Sequence, residues 1–325
     1  MRRKRSEEHG GVVRHTVRHI IPQATLMLLC VALTGACGQA TANAGGNAPT
    51  STSQGVVTPD QADALYSEIA GTADQRAAGD QLAYHIEEDP LTTCMTGAGI
   101  NYTPIPFVNQ WKDWPSTGSS TFDTSWLAPL NDPEYLTQFV QSQAAAQRTT
   151  GADVAASDKA YYSLDPAAKK AWDDAMANCP RGLGYEDAWH PAGYSALIGV
   201  FHNVVNGIDH SIGATYAGSY ASCMNSAGYP DVSDRLGLLA TLQAQQPPND
   251  EIPDVGSSGG PDWQAWVASV GQAFKADGTC RAAAYSAGWA SLGPALSQFE
   301  TENADALAAE EAGWEKILGG GVGPS

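Results

Sequence analysis

The chain has 325 residues, 43% of them hydrophobic and 8% aromatic, enough for a real core and one or two globular domains. Its formal net charge is −18. A surface that acidic repels phosphate backbones and anionic lipid heads, which argues against nucleic acid as a partner.

The first 36 residues stand apart from the rest. Arg2, Arg3, Lys4, Arg5, Arg14 and Arg18 form a basic n-region, and "ATLMLLCVALTGA" (24–36) is an apolar h-region. The apolar run is shorter than the roughly 20 residues a membrane span needs, and it ends in small residues, so it reads as a secretory signal. "LTGAC" (33–37) resembles a bacterial lipobox, in which the Cys is diacylated and becomes the new N-terminus. Gly35 and Ala36 fit that pattern; Thr34 departs from the Leu, Val or Ala usual three residues before the Cys. Cys37 is therefore the expected lipidation site, and cleavage after Ala44 with full secretion is the alternative. Without residues 1–36 the chain holds 11 basic and 33 acidic residues, a net of −22.

Between Cys37 and the valines at 56 and 57, residues 37–57 are Gly, Ala, Ser, Thr, Asn and Gln with one Pro and no charge, the composition of a flexible tether. Helical order is predicted from "TPDQADALYSEI", with Thr58 as cap, Pro59 at the first helical position and Asp60 favouring the positive end of the helix dipole. A second helix runs from Thr72 through Ile86 and is expected to end or kink near Pro90. A short helical turn then carries Cys94 and Met95 up to Gly97 and Gly99, where glycine is a common helix terminator. "INYTPIPFVNQW" reads as extended, and 105–132 as a long irregular segment.

Helical patterning resumes at "NDPEYLTQFVQSQAAAQ" and at "SLDPAAKKAWDDAMANC", where Asp165 or Ser163 caps and Pro166 opens the helix. The apolar stretch 191–228 predicts two buried helices that break near Gly207. "DRLGLLATLQAQ" is a further helix, 245–260 a Pro- and Gly-rich linker, and a last long helix is expected from about Pro294 to Leu318. No segment alternates convincingly with period two. The predicted class is a mostly α, disulfide-braced protein of two similar halves, 58–190 and 191–325, with long irregular loops and little or no sheet.

Candidate chemistry is sparse. "GSSGG" (256–260) matches the nucleophile-elbow pattern with Ser258 as its serine, but that mechanism needs a strand before it, and the preceding residues are linker. Of the histidines beyond the signal, His85, His190, His202 and His210, the last two lie eight apart on a helix. That is about 12 Å of rise, too far for one metal on a straight helix. Glu87, Glu88 and Asp89 cluster, yet acid–base chemistry needs a pocket and one raised pKa. The reading leans away from an enzyme, with no cofactor and no metal. Trp111, Trp114 and Trp126 mark a possible binding surface, since indole faces stack on sugars and extended peptides; packing over the core is the more common use of such rings.

"CMTGAGINYTP" at Cys94 and "CMNSAGYPDVS" at Cys223 share Cys-Met-x-x-Ala-Gly, and each is followed by a second Cys, at 179 and 280. With "KADGTCR" (275–281), these motifs resemble actinobacterial secreted proteins and lipoproteins of uncharacterised function that carry paired "CM…G[FY]" and "D..CR" elements. The first half departs, with "AMANCP" in place of "DGTCR". The resemblance covers roughly 60–318 and implies no activity.

A secreted chain with an even set of body cysteines reads as disulfide-bonded. Three pairings are open to Cys94, Cys179, Cys223 and Cys280. The equivalent places of the two motif cysteines favour Cys94–Cys179 with Cys223–Cys280, leaving Cys37 for lipid. The functional expectation is a lipid-anchored protein on the outer face of the bacterial membrane, binding another envelope protein or a cell-wall glycan. A wall-directed hydrolase with unidentified acids is the alternative.

Overall fold

The structure is a computed structural model that describes residues 56–113, 122, 125–180 and 188–319. Among them are eight helices and no strand. The first two, α1 (Pro59–Ala70) and α2 (Ala73–Gly97), begin alike. In each, the side chain of the N-cap threonine (Thr58, Thr72) accepts from the backbone N–H of a glutamine three residues on, whose side chain accepts from the threonine N–H. These capping boxes satisfy donors that the first turn of a helix otherwise leaves unpaired. The folded body starts slightly inside the predicted tether. Val57 is buried, and its N–H donates to Ser297 Oγ at 3.2 Å.

α3 (Pro133–Tyr162) and α4 (Pro166–Asn178) each carry an aspartate cap, Asp132 and Asp165, followed by proline. Then come α5 (Tyr194–Ser226), α6 (Arg235–Gln243, capped by Asp234), α7 (Pro261–Glu302) and α8 (Ala304–Leu318). Three expected breaks are absent. α2 continues through Pro90, α5 through Gly207 and α7 through Pro294; α7 ends instead at Asn303. An interior proline costs a helix about 3 kcal/mol and a glycine about 1. Burial close to each position offsets this: Leu91 and Met95, Val205 and Ile212, Leu292 and Leu296 are all core side chains.

α5 and α7 form an antiparallel spine. Phe201 meets Phe299 with ring centroids 5.7 Å apart, Tyr220 donates its hydroxyl to Asp277 at 2.9 Å, and Cys223 is bonded to Cys280. α1 packs on this pair, α3 and α6 pack on the first half of α7, and α8 doubles back onto α1 and α2. The two large hydrophobic clusters each mix residues from before and after position 190. Trp126, Leu136 and Val140 pack with Trp266 and Phe274; Leu65 and Ile69 pack with Leu292 and Phe299. A small third cluster of Leu91, Met95 and Cys179, covered by Trp172 and Met176, sits beside the other disulfide, Cys94–Cys179.

The repeated motif is one local structure built twice. At the end of α2, Gly99 N–H donates to Thr96 O and Ile100 N–H to Met95 O; at the end of α5, Gly228 N–H donates to Asn225 O and Tyr229 N–H to Met224 O. This is the Schellman helix ending, whose turn residue sits in the left-handed region that favours glycine. Gly99 has φ 79° and Gly228 φ 96°. Met95 and Met224 are fully buried, and Ile100 and Tyr229 pack against them from beyond the turn. The cysteine one residue before each Met is thereby fixed where it reaches its partner, with Cα–Cα distances of 5.5 and 5.6 Å.

Asp277 lies at the centre of the spine, fully buried. It accepts from Arg281 Nη2 at 2.9 Å, from Arg235 Nη1 at 2.7 Å and from Tyr220 Oη at 2.9 Å. Burial pushes its carboxyl up, but the hydrogen bonds and charge of Arg281, the charge of Arg235 and the Tyr220 hydrogen bond outweigh burial and hold it below 3.8. Arg281 also donates to the carbonyls of Trp126, Ala128 and Pro129. Gly278 and Gly288 make room for that segment: a Cβ at these positions would stand 2.1 Å from Asn131 Oδ1 and 2.4 Å from Leu127 Cδ2.

Asp277→Asn strands two buried guanidinium groups, and urea denaturation is expected to show a loss of about 3–5 kcal/mol. Lys170→Ala, which breaks an exposed pair on α4, is expected to change stability by no more than about 0.5 kcal/mol. The contribution of the Asp277 carboxylate is in place above 3.8 and is withdrawn as acid carries the pH through its lowered value. A second comparison separates the two kinds of glycine. Gly228→Ala is expected to cost about 1–2 kcal/mol through its positive φ, whereas Gly97→Ala, helical and with open space around it, is expected to stabilise by up to about 1 kcal/mol.

Candidate functional site

Between the first turns of α3 and of α7 runs an open groove of about 540 Å³, closed along one side by the loop 255–258. Its far wall depends on one arginine. From α3, Arg148 Nη1 donates to the carbonyls of Asn249 and Ile252 at 2.7 and 3.0 Å, and Nη2 to Asp254 Oδ1 at 2.7 Å. Gln141 Nε2 adds a bond to Asp254 O at 3.2 Å, and Ile252 is buried in the core. The predicted linker is thus a buttressed wall. Gly256 and Gly259 turn it with φ of 80° and 65°, and a Cβ on Gly259 would stand 2.4 Å from the Trp263 ring.

The lining is mostly apolar surface that carries neutral polar groups and one ionisable residue. Thr137, Gln138, Gln141, Ser257, Ser258 and Gln264 supply hydroxyls and amides; Trp263, Val255, Val267 and Ala268 form the floor; Glu134 at the rim is the one ionisable residue. Trp263 packs at a tilt against Trp266, ring centroids 4.9 Å apart, and Trp266 Nε1 donates to Leu242 O at 2.9 Å, which ties the floor to α6. Such a surface offers neutral hydrogen bonds over an apolar base. Acid–base chemistry needs a second titratable group facing the first, and this lining contains none.

The residues singled out from sequence fall in separate places. Cys37 and Trp114 lie outside the described residues. Trp126 is a core ring, 7% exposed, edge-on to Tyr220 and covering Gly213, so it presents no face for stacking on a ligand. Trp111 is half-buried; its Nε1 donates to Asp80 Oδ2 at 2.8 Å while the Arg76 guanidinium lies over its ring at 4.9 Å. Burial raises the Asp80 carboxyl above 3.8, with hydrogen bonds from Gln110 and Trp111 and the Arg76 charge opposing it. Trp111 thus ties the 100–113 segment to α2.

Ser258 lines the groove, but it stands on a loop with no strand before it, so the nucleophile-elbow geometry is missing. His85 lies 3.3 Å from Asp89 on the exposed side of α2; His202 is half-buried against Tyr66 and Phe201, where burial lowers its pKa below 6.5. Among the described residues no group of three or more His, Cys, Asp or Glu is placed to hold a metal ion. The acidic cluster lies mid-helix in α2, Glu87 is buried, and Glu88 accepts from Tyr102 Oη at 2.9 Å.

Sequence reasoning missed three features. The groove escaped it because its walls are more than 100 residues apart. The Asp277–Arg281 pair was visible as an i,i+4 spacing inside "KADGTCR", but Arg235 was not. The third is Glu310 on α8, 1% exposed, whose Oε1 has no hydrogen-bond partner and whose carboxyl burial pushes up to about 7. No described helix is long and apolar enough to cross a membrane. Comparison of the chain with protein-family models, curated proteins and solved structures finds no match.

With Ser258 on a loop, a fluorophosphonate probe is expected to leave the folded chain unlabelled. Stoichiometric labelling at Ser258, traced by peptide mass spectrometry, would contradict that.

Proposed function

We propose that this is a lipid-anchored, extracytoplasmic envelope protein that binds a ligand or partner rather than transforming one, of the kind found among the actinobacterial secreted proteins it resembles. The observation that carries the reading is the cysteine arrangement. Four cysteines form two bridges inside the folded body, which suits an oxidising compartment, and Cys37, at the end of the apolar h-region, is left outside those pairs. Diacylated at Cys37, the chain has some 20 uncharged residues before the body begins.

The groove suits the same reading. A neutral polar ligand such as a cell-wall glycan or peptide matches its amides and hydroxyls, whereas a polyanion meets a chain of strongly negative charge. Chain entry at Val57 is beside Gly293 on α7, and the groove opens near Trp263 on the same helix. Thirty residues of helix, about 45 Å, separate the two.

Membrane fractionation of wild type against Cys37→Ser tests the anchor: wild type is expected in the membrane fraction with a diacylglyceryl Cys37 as its first residue. An unmodified terminus at Gly45 in the wild type would overturn the proposal in favour of full secretion.

A further inference from the structure

We infer that Glu310 makes the docking of the C-terminal helix α8 depend on pH, with the helix seated when this carboxyl is protonated and loosened when it ionises. Three observations meet here. First, α8 is a separate rod. It follows a break at Asn303, has no side-chain cap at its N-terminus, and is seated on α1 and α2 through Leu307 and Trp314, whose Nε1 donates to Ile69 O at 3.0 Å. Second, Glu310 points from α8 into the turn that leads into α5. Its Oε2 lies 2.8 Å from where a Gly193 side chain would begin, and Gly313, one turn on, packs against Pro191 of that turn. Third, the carboxyl is sealed there, 1% exposed, with Oε1 taking no hydrogen bond.

The surroundings do not neutralise it. From α5, the Tyr194 phenol is pushed up to about 12, first by burial and then by Tyr66, with the Glu310 charge adding to this and the Arg76 charge opposing it. From α1 comes Tyr66, and from α2 comes Arg76, whose charge acts on Tyr194. Arg76 is already engaged: its Nε donates to Ala70 O at 2.9 Å, and its guanidinium lies over the rings of Tyr66 and Trp111. The turn contributes His190, stacked on Tyr194 at 4.5 Å. At the rim, Glu68 of α1 is raised by burial, then by Glu311 of α8 and Glu300 of α7, so the outer edge of the same interface also favours protons.

An ionised carboxylate without a partner is costly in such a place. Protonation removes the charge, and the folded state therefore binds a proton that the released helix gives up at ordinary carboxylate pH. Docking is firmest below about pH 4.5 and weakens as the pH rises toward 7, the value to which burial pushes Glu310.

The test uses the full chain with both disulfides intact, comparing wild type, Glu310→Gln and His190→Asn. Gln copies the shape of the protonated acid and carries no charge at any pH. After correction for the intrinsic pH dependence of exchange, hydrogen exchange over 304–318 in wild type is expected to speed up roughly tenfold or more between pH 5 and pH 8. In Glu310→Gln it is expected to stay level at the slow, low-pH value, and the urea midpoint at pH 8 to rise above that of wild type. His190→Asn is expected to keep the wild-type pH response. The inference is overturned if wild-type α8 protection is independent of pH, if Glu310→Gln retains the response, or if His190→Asn abolishes it.

Discussion

Asp277 is the point on which the other contacts of this fold converge. A carboxylate with no exposed surface is affordable only if every lone pair is answered, and the answers come from three elements besides its own turn: Tyr220 on α5, Arg235 at the start of α6, and Arg281 one turn on along α7. Arg281 carries the constraint outward by gripping the carbonyls of Trp126, Ala128 and Pro129. Such a network is poor evidence of net stabilisation, because desolvating three charges costs nearly what their attraction returns. Its stronger consequence is uniqueness. A register shift of α5 on α7, or a strap lying elsewhere, strands a buried charge, and the neighbouring notches at Gly278 and Gly288 admit the strap in one position only.

The two Cys-Met endings show how one local device serves two unequal settings. Hydrogen bonds within six residues close both helices identically, and each buried Met holds its cysteine in place. Beyond that the halves diverge. Cys223 meets Cys280 beside the ion network, in the largest cluster of the molecule; Cys94 meets Cys179 beside a cluster of three buried residues, where α4 buries no side chain of its own. Where the core is this thin, a covalent tie closing a separation of 85 residues matters most.

What the sequence made legible was local. Thr58, Thr72, Asp165 and the prolines after the caps mark real helix starts, because a cap is satisfied within three or four residues. The cysteine pairing followed from the repeat because both sites are the same structure. Continuity through Gly207, Pro90 and Pro294 was not legible: single residues argue for a break there, and burial against distant segments overrules them. Trp126 could not be assigned to the core without Tyr220 and Gly213, which lie more than 80 residues away. Glu310 was hidden for the opposite reason: among so many acids, one more carries no signal until its surroundings are known.

The distribution of titratable groups bears on what the groove can do. Asp80, Asp209 and Asp277 are all shifted, and each is occupied by a structural bond: Gln110 and Trp111 donate to Asp80, the Trp126 N–H to Asp209 at 2.7 Å, and two arginines to Asp277. A group engaged in this way cannot exchange a proton with a bound substrate without releasing part of the fold. The groove, in contrast, combines a mostly apolar lining with amides and hydroxyls that keep one protonation state across the physiological range, Glu134 being the one ionisable residue of the lining. The bonds of Arg148 to the segment before the groove's loop and the tilted Trp263–Trp266 contact add preorganisation, which favours binding by lowering the entropy lost on contact. Chemistry needs a proton or electron pair poised to move; recognition needs donors and acceptors that stay where they are. The groove's neutral amides and hydroxyls have the second set of properties.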